Sequence, residues 1–212
     1  MHDISTARIA KELETYGLNA GESLCSQIRS YIDILLAWNR KMSLTSVTDP
    51  VEIVRFHFGE SIFALTAGAI SDGRLADVGS GAGFPGLPIG LAHPSIDLTM
   101  IESNIKKCTF LREISRKLGA EGVRVLNRRI EDLPPPLEDE RFDFISARAV
   151  GEFDSLLDFA RGFLAKQGRL VLWIGHEDAD RIRADYSALW KWADPVLIPN
   201  STRRYLLSGE LR

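Results

Sequence analysis

Asp77 to Gly86 read D-V-G-S-G-A-G-F-P-G at the end of a short apolar run. Glycines at 79, 81 and 83 remove the Cβ atoms that would hold a ligand away from the main chain, so backbone N–H groups and a helix start can close on it. Acidic residues recur at comparable places further on. Glu102 ends the next apolar run, 19 residues after Gly83, and Glu131 follows Ile130 after a third run. At adjacent strand ends these groups would ring a nucleoside: Glu102 accepts from the ribose hydroxyls, and an adenine lies across Ile130 near the Glu131 carboxylate. Taken singly, Asp77 reads as a cap or loop carboxylate and Glu131 as a surface charge. Their combination beside a glycine loop is what favours a cofactor site.

Gly81 to Gly86 also satisfies G-x-G-x-x-G, which alone is a weak signal for a dinucleotide. Three features favour S-adenosylmethionine instead. Gly79 starts the loop one glycine early. Pro85 removes a donor where a pyrophosphate would want one. Asp77 places an anion beside the loop, which repels a pyrophosphate and suits an ammonium or sulfonium. A nicotinamide-dependent oxidoreductase is the rival reading, because both cofactors use an acidic residue at the Glu102 position.

Arg148, in S-A-R-A-V, is the candidate for positioning substrate and cofactor, with a salt bridge to Glu131 or Asp77 as the ordinary alternative. His57, between Phe56 and Phe58, reads as a partly buried, hydrogen-bonded histidine rather than a base. Phe84 and Trp173 are candidate flat surfaces for a base, with Trp173 equally readable as core. No Ser/His/Asp set and no metal-ligand cluster stands out. Cys25 and Cys108 lack zinc or dithiol spacing.

The elements that must carry these residues change character near residue 72. Leu24, Ile28, Tyr31, Ile32, Leu35 and Trp38 recur on one helical face, and Asp49, Pro50 and Glu52 mark a second helix start. Residues 1–71 thus read as a helical cap and 72–212 as a compact α/β domain. Strands are expected at Leu75 to Val78, Leu98 to Ile101, Val123 to Leu126, Phe142 to Ala147 and Leu170 to Ile174. Helices are expected at Pro85 to Ala92, Ile105 to Leu118 (closed by Gly119), Phe153 to Leu164 and Ala179 to Ala193. "PVLIP" and "RRYLLS" lack an intervening helix and should pair antiparallel. "LPPPLEDE" is a stiff connection.

With 212 residues, 45% apolar, the chain can bury one good-sized core, and its net charge of −3 gives no strong overall field toward nucleic acid. RNA contact would have to come from local groups: Lys106, Lys107, Arg112, Arg116, Lys117, Arg128, Arg129, Arg203 and Arg204. No apolar stretch approaches a membrane span, and a cytoplasmic monomer is expected.

"WNRKMSLTSVTDPVEIVRFHFGES", "DVGSGAGFPGLPIGLAHP", "IESNIKKCTFLREISRKLG" and "FDFISARAV" together resemble the bacterial 16S ribosomal RNA guanine-N7 methyltransferases, also called glucose-inhibited division protein B. The resemblance implies a class I methyltransferase fold, Rossmann-like, with a seven-stranded, mostly parallel sheet and an N-terminal helical cap. It also implies methyl transfer from S-adenosylmethionine to N7 of one guanine, with 16S rRNA or the small ribosomal subunit as partner. Carried over by position, the family's cofactor contacts fall on Gly79, Phe84, Ile130, Glu131 and Arg148, with Glu102 on the ribose. Two positions depart: Ser43 stands where the family usually has asparagine, and Ile174 where it usually has lysine. A same-fold methyltransferase acting on a small molecule or protein, or a ribosome-binding factor that retains the pocket, are the other readings.

Overall fold

The computed structural model describes residues 4–120, 122–148 and 153–212. Four helical segments build the first part: α1 (Thr6–Glu14), α2 (Glu22–Asn39), α3 (Pro50–Ile53) and α4 (Glu60–Thr66). A π-helical turn, Val54–Gly59, joins α3 to α4. Asp49 caps α3 by accepting the Glu52 N–H at 2.9 Å, with Pro50 in the first turn, where its missing N–H costs nothing. On α2, Cys25, Ile28, Tyr31, Ile32 and Leu35 are all buried, so the apolar stripe read from spacing is the packed face.

Strands β1 (Arg74–Val78), β2 (Asp97–Ile101), β3 (Arg124–Leu126), β4 (Phe142–Arg148) and β5 (Leu164–Gly175) run parallel. Helices α5 (Gly86–Ala92), α6 (Ile105–Lys117) and α7 (Phe153–Phe163) alternate with them. Gly119, at φ +72°, closes α6. After α8 (His176–Asp185) come β6 (Trp190–Trp192), β7 (Val196–Leu197) and β8 (Arg204–Leu211), with β8 antiparallel to β5. The sheet order is β3-β2-β1-β4-β5-β8-β6, with β7 also on β8, eight strands among the described residues. β6 and β7 divide one edge of β8 between them, β6 on Gly209 to Leu211 and β7 on Tyr205 and Leu206, so the sheet is seven positions wide.

The helix expected over Ala179 to Ala193 is shorter than its pattern suggested. It ends at Asp185, and Trp190–Trp192 is a strand. The Trp190 and Trp192 rings stack at 5.3 Å, and Trp192 sits against Gly209, where a side chain on β8 would collide with it. Packing of two large rings against a sheet edge overrides the local helical preference.

One apolar cluster contains Ile9, Leu13, Ile28, Leu35, Phe58 and Ile62 from the first helices together with Leu75, Leu87, Leu98, Phe110, Val171 and Trp173 from the α/β part. The helical segment therefore shares its core with one face of the sheet. A second cluster, around Phe153, Leu156, Leu170, Leu172 and Ile174, fills the other face. Ile174 is 7% exposed there, so its side chain belongs to the core.

Candidate functional site: a glycine loop at the carboxyl ends of four parallel strands

Strands β3, β2, β1 and β4 lie side by side, and their carboxyl ends are in register: Leu126 beside Ile101, Ile101 beside Val78, and Val78 beside Ala147. Arg148, which ends β4, and the residues after the other three strands, Gly79, Glu102, Ile130 and Glu131, therefore line up along one edge. The chain reverses its strand order between β1 and β4, where a doubly wound sheet opens a crevice.

Gly79 and Gly81 have φ of +69° and +56°, and no side chain stands near where their Cβ atoms would be. The loop is held from beneath. Gly79 and Ser80 donate to the Ile101 carbonyl at 2.8 and 3.2 Å, and Gly83 donates to Ser80 at 2.7 Å. Glu102, 6% exposed, accepts from Gly81 N through Oε2 at 2.9 Å and from Asn104 N through Oε1 at 2.7 Å. Asn127 Nδ2 donates to the carbonyls of Glu102 and Ser103 at 3.1 and 2.8 Å. The sequence reading missed this brace, because an asparagine after a strand carries no local signal.

Above the loop lies a cleft of about 300 Å³ lined by Val78, Gly79, Ile101, Ser103, Arg128, Arg129, Ile130 and Glu131, at the low end of the ~300–1,000 Å³ usual for small-molecule sites. It brings together Gly79, Ile130 and Glu131. A larger groove of about 790 Å³, between Leu18–Gln27 and the turns around Pro94 and Gly119, contains none of the expected site residues.

Asp77 lies below this surface rather than in the open cleft. It is 0% exposed, its Oδ1 accepts from Ser146 Oγ at 2.9 Å, and Oδ2 sits against Gly86, the first residue of α5. Burial pushes its carboxyl up to about 6. Gly83 packs against Tyr31, whose hydroxyl donates to the Ala82 carbonyl at 2.5 Å. Phe84, 9% exposed, is clamped between Tyr31 (5.3 Å, 13°) and His57 (4.6 Å, 24°). Trp173 is 4% exposed and donates to the Glu60 carbonyl at 2.7 Å. Neither ring offers a free face to a base.

His57 Nε2 and Thr45 Oγ1 are 2.7 Å apart. Burial, with Arg148 nearby, holds its imidazole down to about 4, so the ring is neutral at pH 7. Arg148 binds neither Glu131 nor Asp77, the partners of the alternative salt-bridge reading. Its Nη2 donates to Glu60 Oε2 at 3.0 Å and its Nη1 to the Phe56 carbonyl at 2.8 Å, both on the first helical segment. Ala149 and Val150, which follow it in the quoted "SARAV", lie outside the described residues.

The arrangement fits an S-adenosyl nucleoside on structural grounds. Gly79 and Gly81 form an open backbone cradle, and each Glu102 oxygen takes one main-chain N–H and keeps further acceptor capacity, while Glu102 itself is not among the residues that line the cleft. A mostly parallel sheet with helices on both faces, a C-terminal antiparallel strand and this loop defines a class I methyltransferase. Solved structures of that class resemble it: ribosomal protein L11 methylase from Lactobacillus delbrueckii subsp. bulgaricus has a TM-score of 0.58 at 16% identity, covering 74% of this chain and 79% of that one. The glycopeptide N-methyltransferase MtfA has a TM-score of 0.61 at 11% identity, over 73% and 90%.

The family model described as GidB, rRNA small subunit methyltransferase G, matches residues 24–200. Ribosomal RNA small subunit methyltransferase G of Chloroflexus aggregans is 34% identical over 96% of this chain and 89% of its own length, and that of Dehalococcoides mccartyi (strain CBDB1) 38% over 74% and 69%. The chain belongs to the rRNA small subunit methyltransferase G family. That membership sets aside the oxidoreductase reading. Among the described residues no helix is long and apolar enough to cross a membrane.

Proposed function

We propose that this protein methylates N7 of a guanosine in 16S ribosomal RNA, taking the methyl group from S-adenosylmethionine. The observation that carries the reading is the open glycine cradle at Gly79 and Gly81 with Glu102 braced beside it, in a chain of this family. When bound, the cofactor supplies a methyl group on a cationic sulfonium. Guanine N7 presents an in-plane lone pair and carries no proton at neutral pH, so no general base is required. The protein's work is alignment and exclusion of water.

In this reading Glu102 receives the ribose hydroxyls, Ile130 and Glu131 flank the adenine, and Asp77 stiffens the loop from below through Ser146 and the start of α5. The neutral His57 ring keeps Phe84 in place without adding positive charge near the sulfonium. Residues 1–71 act as a cap that completes the substrate side, and Arg148 positions the reacting groups. The protein works as a monomer on RNA within the small subunit. Incubation with labelled S-adenosylmethionine and subunits lacking the modification, followed by mapping of N7-methylguanosine, tests this. One labelled guanosine is expected; label on protein or small molecules alone would replace the reading with that of a same-fold enzyme of different substrate.

A further inference from the structure

Glu60 lies outside the cofactor cleft, yet this 1% exposed residue joins the first helical segment to three strands at the carboxyl edge of the sheet. Its Oε2 accepts from Arg148 Nη2 at 3.0 Å, at the end of β4. Its Oε1 lies 2.6 Å from Arg204 Nη2, at the start of β8. Its main-chain carbonyl accepts from Trp173 on β5. The π-helical turn makes this possible. Glu60 N–H reaches back five residues to the Arg55 carbonyl, so the Phe56 carbonyl, which an α-helical Glu60 would have taken, is open to Arg148 Nη1. Arg204 in turn lies 4.9 Å over the Phe56 ring.

Fixation at two points sets the plane of the Arg148 guanidinium; one contact would leave it free to swing. Five N–H donors belong to such a group, and Glu60 and Phe56 engage only part of them. Two guanidinium groups against one carboxylate also leave an excess of positive charge at this seam, which suits an RNA strand.

We propose that Glu60 is a positioning residue for methyl transfer: it holds Arg148 and Arg204 as a fixed pair beside the glycine loop, where they meet the RNA. The inference rests on the proposed function. A latch that served folding alone would lower stability without changing turnover per folded molecule.

The test uses Glu60→Gln and Glu60→Asp in the full chain, with S-adenosylhomocysteine affinity by calorimetry, thermal unfolding, and kcat and KM on unmodified small subunits. Glu60→Gln is expected to lose roughly 100-fold in kcat, the cost of a displacement near 1 Å at a reacting group, a larger change than any in S-adenosylhomocysteine affinity. Glu60→Asp retains the charge and restores most of the loss. A folded, cofactor-binding Glu60→Gln protein with wild-type kcat and KM overturns the inference, as does Glu60→Asp behaving like Glu60→Gln. Should Glu60→Gln fail to fold, Arg148→Lys keeps the charge but cannot bridge Glu60 and Phe56 together; the same drop in kcat is expected, and wild-type turnover overturns the inference. Absence of methylation by the unaltered protein would instead overturn the function on which it rests, before any variant is made.

Discussion

Oε2 of Glu102 accepts the Gly81 N–H while Oε1 accepts the Asn104 N–H, at 2.9 and 2.7 Å. One carboxylate thereby joins the loop after β1 to the N-cap of α6 after β2. The backbone fixes both oxygens of Glu102, so a ligand that bound there would not have to immobilise the side chain.

Replacing Glu102 by alanine should release that joint and weaken S-adenosylhomocysteine binding by about 10- to 100-fold, the equivalent of ~1.5–3 kcal/mol for hydrogen bonds to a charged group. Isothermal titration measures it. Affinity equal to the wild type would mean that the sugar binds elsewhere.

Gly79 and Gly86 should respond in opposite ways to alanine. At Gly86 the new methyl group would lie 2.7 Å from Asp77 Cβ, in a buried seam between β1 and α5 that must shift, so stability should fall by ~1–3 kcal/mol. At Gly79 nothing stands in the way of the methyl group, but φ is +69° and the space belongs to the cleft. Gly79→Ala should lose cofactor affinity after a strain cost of only about 1–2 kcal/mol. Denaturant titration together with calorimetry separates the two, and equal effects of both variants would contradict the loop geometry.

Asp77 and His57 should impose opposite pH dependences on stability. The Asp77 carboxyl moves from 3.8 to about 6 on folding, so ionising it costs the native state about 3 kcal/mol at most. That cost is absent below pH ~4, grows as pH rises to ~6 and is constant above. The His57 imidazole moves from 6.5 to about 4, so stability falls as pH drops from ~6.5 to ~4 while the unfolded chain takes up the proton. In the wild type the two slopes oppose each other. Asp77→Asn should be more stable above pH 6 and lose stability more steeply in acid; His57→Gln should flatten the acid loss. Unfolding free energies at pH 4, 5, 6 and 7 provide the check, and identical slopes in all three proteins would refute both assignments.

Because the first helices share their core with the sheet, residues 1–71 should not be separable from the rest. A fragment starting at residue 72 would expose Leu87, Leu98, Phe110 and Trp173, which now pack in that shared cluster. It is expected to be insoluble or unfolded, and the full chain to melt in one transition by calorimetry. A folded, monomeric fragment would show two independent units.

The β-α alternation, the glycine loop, the helical stripe of α2 and the Asp49 cap were legible because each depends on residues close in the chain: period, turn chemistry and a cap within four positions. The closing antiparallel strands were legible for the same reason. The last helix was overextended because its neighbours, Trp190 and Trp192, take their conformation from a distant sheet edge. Arg148 was singled out for positioning, with a salt bridge as the ordinary alternative; a salt bridge exists, but to Glu60 rather than to Glu131 or Asp77, and it was not legible because Glu60 is remote in sequence and a π-helical turn leaves no mark in composition.

The sequence by itself determined that a glycine-lined loop would stand at the carboxyl end of a strand, with an acidic residue at the next strand end, because backbone access and strand order follow from local residue types. Only the tertiary structure decided that Asp77 lies beneath the loop, that Phe84 is clamped by Tyr31 and His57, and that Glu60 gathers Arg148 and Arg204. Those are contacts between segments far apart in the chain, and burial, which sets both their geometry and the charge states of Asp77 and His57, exists only once the two parts have packed together.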